Sequence, residues 1–158
     1  MVSLIDRIDR EILRYLQQDA SISNLELSRL VGLSPSACLA RTKSLKESGV
    51  IRQSTILVDE ERVGIGTIAF ALVNLAPFNR TNSQEFLSYI EKFPQIQECY
   101  TLTGSHDYLL KIVAANMGEY RDFIIDKLLG YPYISKIETN MVMGIDKRTP
   151  CLPIPDGE

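Results

Sequence analysis

Residues 23–49 read SNLELSRLVGLSPSACLARTKSLKESG, and they decide the fold of the first part of the chain. The stretch holds two helices joined by a tight turn. Ser23 is the expected N-cap of the first, with Glu26 three residues on as the other half of a capping box. Leu25, Leu27, Leu30 and Val31 form its apolar set. Gly32 stops it, because glycine enters the left-handed conformation of a sharp helix exit at no steric cost. Ser34 and Pro35 restart the chain as N-cap and first helical residue. Cys38, Thr42 and Leu45 then share one inward face, and Gly49 closes the second helix. A helix, a turn of about 3–4 residues containing Gly, and a second helix make a helix-turn-helix, whose second helix enters the DNA major groove.

The outward face of that second helix fits such a role. A step of about 100° per residue puts Ala37, Ala40 and Ser44 opposite Thr42, with Ser36, Arg41 and Lys43 on the flanks. Small side chains permit a close approach to base edges. Hydroxyls and cations suit phosphate oxygens, which position a protein without reading sequence. Ser34 at the helix start and Arg52 just past its end complete the expected DNA-facing set. Pattern alone leaves a second reading open, a solvated helical hairpin with ordinary surface charge.

The net charge of the 158 residues is −3, but it is unevenly divided. Residues 1–58 carry 8 Lys and Arg against 6 Asp and Glu, whereas residues 59–158 carry 9 against 14. A locally basic element on an acidic body directs DNA to one end of the molecule. The modest local charge also implies that one copy binds weakly. Hydrophobic content of 45% and charged content of 23% are those of a globular protein. No apolar run approaches the roughly 20 residues that span a bilayer. Asp6, Arg7, Asp9 and Arg10 interrupt any signal-peptide core at the N-terminus. Cys38, Cys99 and Cys151 are odd in number and scattered, which suggests a reducing cytoplasm rather than a disulfide framework.

In chain order, the periodicity predicts a first helix over about Leu4–Gln18. Ile5, Ile8, Ile12, Leu13 and Leu16 form its stripe, and Ser3 with Asp6 its capping box. Val50-Ile51 and Ser54–Val58 read as a short strand after the helix-turn-helix. A charged, Gly-containing break near 59–66 reads as a linker. The alternation that follows is strand Thr67–Leu75, helix Ser83–Phe93, strand Ile96–Thr103, turn 104–107, strand Tyr108–Ala114, a helix capped by Asn116, and strand Ile134–Met143. That order is the ferredoxin-like βαββαβ, an antiparallel sheet with both helices on one face. The expected organisation is therefore α+β: a three-helix, winged-type helix-turn-helix with a linker strand (1–58), a linker (59–66), a ferredoxin-like domain (67–149) and a tail (150–158). Strand Thr67–Leu75 is apolar on both faces, yet the helices cover only one. A twofold partner pressing its own sheet against the open face is the simplest remedy; cover by the chain's own tail or linker is the alternative.

These features together resemble the Lrp/AsnC (feast/famine) family of bacterial and archaeal transcription factors. The stretches that carry the likeness are IDRIDREIL (5–13), ISNLELSRLVGLSPSACLAR (22–41), IQECYTLTGSHDYLLK (96–111) and the MGEYRDF that follows. The resemblance implies a cytoplasmic, nucleoid-associated regulator that binds double-stranded DNA. It also implies dimers formed through the ferredoxin-like (RAM/ACT-like) domain, assembly into octamers or larger particles, and small effectors, typically amino acids, held between dimers. The family's Gly-x-x-Asp turn matches Gly104-Ser105-His106-Asp107. By this likeness the effector-binding residues are Thr101, Thr103, Gly104, Ser105, His106, Asp107, Met117, Asn140 and Val142. A carboxylate suits a ligand ammonium, and backbone N–H groups at a turn suit a ligand carboxylate. Thr101, His106 and Asn140 stand where the leucine-responsive pattern has Leu, an aromatic and Tyr. The pocket is accordingly expected to be more polar and to take a small or polar amino acid.

Enzymatic readings are weaker. His106, the only histidine, adjoins Asp107, but one His and one Asp lack the further ligands of a closed metal site, and no nucleophile lies at useful spacing. The sequence is thus expected to encode neither an enzyme nor a metal or cofactor site. An effector-insensitive, chromatin-like DNA-wrapping protein remains as the alternative function.

Overall fold

The computed structural model describes residues 5–156 and divides into two compact units. One runs to Leu57 and takes in the chain from Lys147 onward; the other is Val58–Asp146.

The first unit is built on three helices, α1 (Arg7–Gln18), α2 (Asn24–Leu30) and α3 (Pro35–Glu47). Helix α1 begins one turn later than expected. Asp6 is its N-cap, and Asp6 and Asp9 exchange side-chain and backbone hydrogen bonds as a capping box. The expected cap at Ser3 and start at Leu4 lie outside the described residues. Ser23 caps α2 by accepting the Glu26 N–H. Gly32, at φ +68°, turns the chain, while the Leu33 N–H donates to the Ser28 carbonyl at 2.9 Å, a Schellman exit. Ser34 caps α3, with Pro35 in its first turn. The Asn24 side-chain amide donates to the Pro35 carbonyl at 2.8 Å, tying the two helix starts together. Ile12, Leu13, Leu27, Val31, Cys38 and Leu45 form the core. Leu25 and Leu30, expected inward, are half exposed, because a two-turn helix turns only one narrow stripe inward. The short strand expected over 54–58 is absent: the segment lies in no ladder, and Ile56 and Leu57 are exposed.

The second unit holds β1 (Thr67–Leu75), α4 (Arg80–Ile90), β2 (Ile96–Thr101), β3 (Tyr108–Ala114), α5 (Met117–Phe123, continued by a π-turn over Ile124–Leu128) and β4 (Ile134–Met141). Helix α4 starts three residues before the expected position because Asn79 caps it, accepting the Asn82 N–H. Strands β2 and β4 each end two residues early. The sheet order is β2-β3-β1-β4, with every neighbouring pair antiparallel. Ala69, Ala71 and Val73 of β1, with Tyr108, Leu110 and Ile112 of β3, pack under Phe86 and Ile90 of α4 and Tyr120, Phe123, Ile124 and Leu128 of α5. The alternate residues face away from both helices. In register across that open face stand Ile68 with Val113, Phe70 with Lys111 and Leu72 with Leu109. Beside them on β4 are Asn140 and Glu138.

Candidate functional site

Two candidate surfaces arise, one in each unit. In the first, α3 turns Cys38 and Leu45 into the core, and Thr42 back-bonds to the Cys38 carbonyl at 3.0 Å. This orientation leaves Ser34, Ser36, Ala40, Lys43 and Ser44 exposed on its far side, with Ala37 partly covered. Arg52 is exposed in the extended segment past the helix. Leu39 also stands outward, 59% exposed, which spacing from Thr42 had left unremarked. A leucine there can meet a thymine methyl in the major groove. Lys43 pairs loosely with Glu47 at 3.6 Å, both ends largely in solvent.

Arg41 has a different setting. Its Nη1 lies 2.6 Å from Asp6 Oδ2 and 2.9 Å from Asp9 Oδ1. The arginine therefore bridges the capping box of α1 to the middle of α3. The Asp9 N–H and then the Arg41 guanidinium hold the Asp6 carboxyl below its ordinary range, and the two carboxylates push Arg41 up in return. No local pattern reveals this, because the partners lie 35 and 32 residues away.

In the second unit, the turn after β2 is lashed to the end of β1. Asp107 Oδ2 accepts the Leu75 N–H at 2.8 Å, and the Asp107 N–H donates to the Val73 carbonyl at 3.0 Å. The Asn74 amide donates to the Ser105 carbonyl at 2.8 Å, and His106 Nδ1 lies 3.0 Å from Asn74 Oδ1. His106 Nε2 is 3.9 Å from Glu138 on β4. The exposed tip, Thr103 to Ser105, includes Gly104 at φ +114°. Thr101 is exposed at the neighbouring end of β2.

The expected effector residues thus fall into two groups. Thr101, Thr103, Gly104, Ser105, His106 and Asp107 gather at the Asn74 end of the sheet. Met117 follows the opposite end of β3, Asn140 pairs with Phe70, and the Val142 N–H donates to the Ile68 carbonyl. Six residues of strand separate Ile68 from Asn74, roughly 20 Å at ~3.3 Å per residue. Within one chain Met117 and Val142 stand away from the turn, whereas Asn140 lies two residues along β4 from Glu138, the neighbour of His106. Among the described residues, no group of three or more His, Cys, Asp or Glu side chains is placed to hold a metal ion. None of their helices is long and apolar enough to cross a membrane.

Comparison with known proteins agrees with this architecture. Residues 5–52 match a family model described as winged helix-turn-helix DNA-binding, and residues 68–151 one described as the Lrp/AsnC ligand binding domain. The chain is 59% identical over 151 residues to the transcriptional regulator AzlB of Bacillus subtilis, covering 96% of each chain. It is 37% identical over 139 residues to the leucine-responsive regulatory protein of Escherichia coli K12, covering 88% of this chain and 85% of that one. A solved transcriptional regulator from Neisseria meningitidis, in complex with L-Met, superposes with a TM-score of 0.90 at 34% identity, covering 94% of this chain and 96% of that one. Both of these curated relatives are named as regulators. With a DNA-binding helix-turn-helix in one unit and a ligand-binding domain in the other, the chain belongs to the Lrp/AsnC family of transcriptional regulators.

Proposed function

We propose that this regulator senses an amino acid in the cytoplasm and acts on DNA as a multimer of dimers. The observation that carries the proposal is incompleteness within one chain. The sheet face bearing Ile68, Phe70, Leu72 and Leu109 is the one that α4 and α5 of its own unit leave uncovered. The proposed effector residues at the 101–107 turn lie toward the opposite end of the sheet from Met117 and Val142, with Asn140 between them. Association of copies closes the first and offers a way to unite the second. The L-Met complex of the Neisseria relative supports an amino acid as the ligand class. DNA contact is assigned to Ser34, Ser36, Ala37, Ala40, Lys43, Ser44 and Arg52, with Arg41 holding the helix that carries them. Linking several weak modules on one particle raises avidity without new contacts.

The test is a thermal-shift screen against the amino acids, paired with light scattering. A true effector at 100 times its Kd stabilises by about 2.7 kcal/mol. No shift with any amino acid would remove the sensing role, and a monomer that binds duplex tightly would remove the multimer. The second reading, an effector-insensitive wrapping protein, draws support from the small side chains of Ser36, Ala40 and Ser44 on α3. They offer few bidentate base contacts. Footprints that stay unchanged with every amino acid would favour it.

A further inference from the structure

Residues 151–156 lie against α1. Cys151 Sγ donates to the Gln17 carbonyl at 3.2 Å. The Gln17 side-chain amide takes both backbone groups of Leu152: Oε1 accepts its N–H at 2.7 Å, and Nε2 donates to its carbonyl at 3.2 Å. Arg14 Nη2 donates to the Ile154 carbonyl at 2.9 Å and pairs with Asp156. Ile154 packs on the helix-turn-helix core, as Ile8, Tyr15 and Leu16 of α1 also do. All these polar partners come from two α1 residues one turn apart, Arg14 and Gln17.

We propose that residues 151–156 are a strap that completes the DNA-binding module, so that this module is built from both ends of the chain. Three features support it. First, Gln17 reads the backbone of Leu152 as an adjoining strand would, and such pairing does not depend on the strap's side chains. Second, Pro153 and Pro155 alternate with Leu152 and Ile154. Proline lacks an N–H and holds its backbone extended, so the strap loses little freedom on docking and leaves no donor unpaired at those positions. Third, three short helices enclose a small core, and a core of that size gains much from one more apolar side chain. The family-model matches end at Arg52 and at Cys151, so residues 152–156 fall outside both. The strap is a feature of this chain that neither description supplies.

The strap follows β4, the strand that carries Asn140, after the intervening residues 142–150. The helix-turn-helix is therefore joined to the ligand-binding domain twice, covalently through the extended segment after Ile51 and non-covalently through the strap's contacts with Arg14 and Gln17.

The test uses the full chain, a version ending at Pro150, and the substitutions Gln17→Ala and Ile154→Asp. Hydrogen exchange of α1–α3 amides and binding to a labelled mixed-sequence duplex as a function of temperature are the readouts. Loss of the strap's hydrogen bonds and of a half-buried isoleucine predicts about 30-fold faster exchange in α1–α3. Exchange in β1 and β3 stays unchanged. The temperature at which duplex binding is half lost falls by about 10 °C. A synthetic peptide of residues 149–156, added in trans to the shortened chain, slows α1 exchange again, whereas the same peptide with Ile154→Asp does not. Unchanged α1–α3 exchange in the shortened chain overturns the proposal, as does failure of the native peptide to restore protection.

Discussion

Replacing Arg41 by alanine separates two roles that the same residue could hold. In the structure its Nη1 bridges Asp6 and Asp9, so its first duty is to fix α3 against the start of α1. The three side chains are 35%, 50% and 17% exposed, so the pairs are partly screened. Exposed pairs are worth about 0.2–1 kcal/mol each, which makes the two together about 1 kcal/mol. In a unit of this size such a loss lowers the thermal midpoint by about 4–8 °C. A phosphate contact leaves a different trace. Removing one reduces the slope of log K against log salt concentration by about 0.9. The assay is a duplex titration at four or five salt concentrations for the wild type and Arg41→Ala, beside a melting curve for each. The bridge predicts a lower midpoint and an unchanged salt slope. A slope reduced by about 0.9 with an unchanged midpoint would refute this reasoning and return Arg41 to the DNA.

Acid should act on the same bridge. The Asp6 carboxyl is held below its ordinary range by the Asp9 N–H and Arg41, so its contribution is present above the unfolded carboxylate range and fades as pH falls below about 4; the wild-type midpoint should drop faster with acid there than that of Asp6→Asn, read by circular dichroism. Gly32→Ala should cost about 1 kcal/mol, read by denaturant melting, because a Cβ there meets no atom within 4 Å and only the left-handed backbone opposes it. Asp107→Asn keeps an oxygen for the Leu75 N–H while removing the charge, so the effector response should fall with melting nearly unchanged; Asp107→Ala should in addition cost about 1.5–3 kcal/mol through the lost charged hydrogen bond. Leu72→Glu on the open sheet face should shift the light-scattering mass to that of one chain, and an unchanged mass would place the copy interface elsewhere.

The helix-turn-helix and the βαββαβ order were legible because both rest on local signals. Ser23, Gly32, Ser34 and Pro35 punctuate the first, and alternating strand and helix periods lay out the second. Local signals also misled. Ser3 with Asp6 and Asp6 with Asp9 offer the same capping spacing, and only the second pair describes where α1 begins. Ser54–Val58 has the β-branched, apolar character of a strand, but a strand needs a ladder partner, and none of the described residues supplies one. The Arg41 bridge and the strap were invisible for a common reason. Each joins residues more than 30 positions apart, and neither partner carries a mark of the other. Residues 150–158 read simply as a tail, yet Pro153 and Pro155 suit an extended strap lying against α1.

The placement of the proposed effector residues bears on how a signal would travel. The 101–107 turn is fastened to β1 by Asn74 and Asp107, whereas Asn140 sits on β4, six residues before the chain reaches Asp146 and turns into the strap-bearing segment. A ligand that reaches Asn140 would bear on β4 directly. From β4 the chain leads to Gln17 and Arg14 of α1, and from α1 the Asp6–Arg41–Asp9 bridge leads to α3. Every step in that sequence is a covalent segment or a hydrogen-bonded contact between named residues. Coupling is then testable as an energy rather than inferred from position: combining Gln17→Ala with Asp107→Asn should give an effector response no weaker than Asp107→Asn alone if both act on one line. Additive losses would mean that the strap holds the module without carrying the signal.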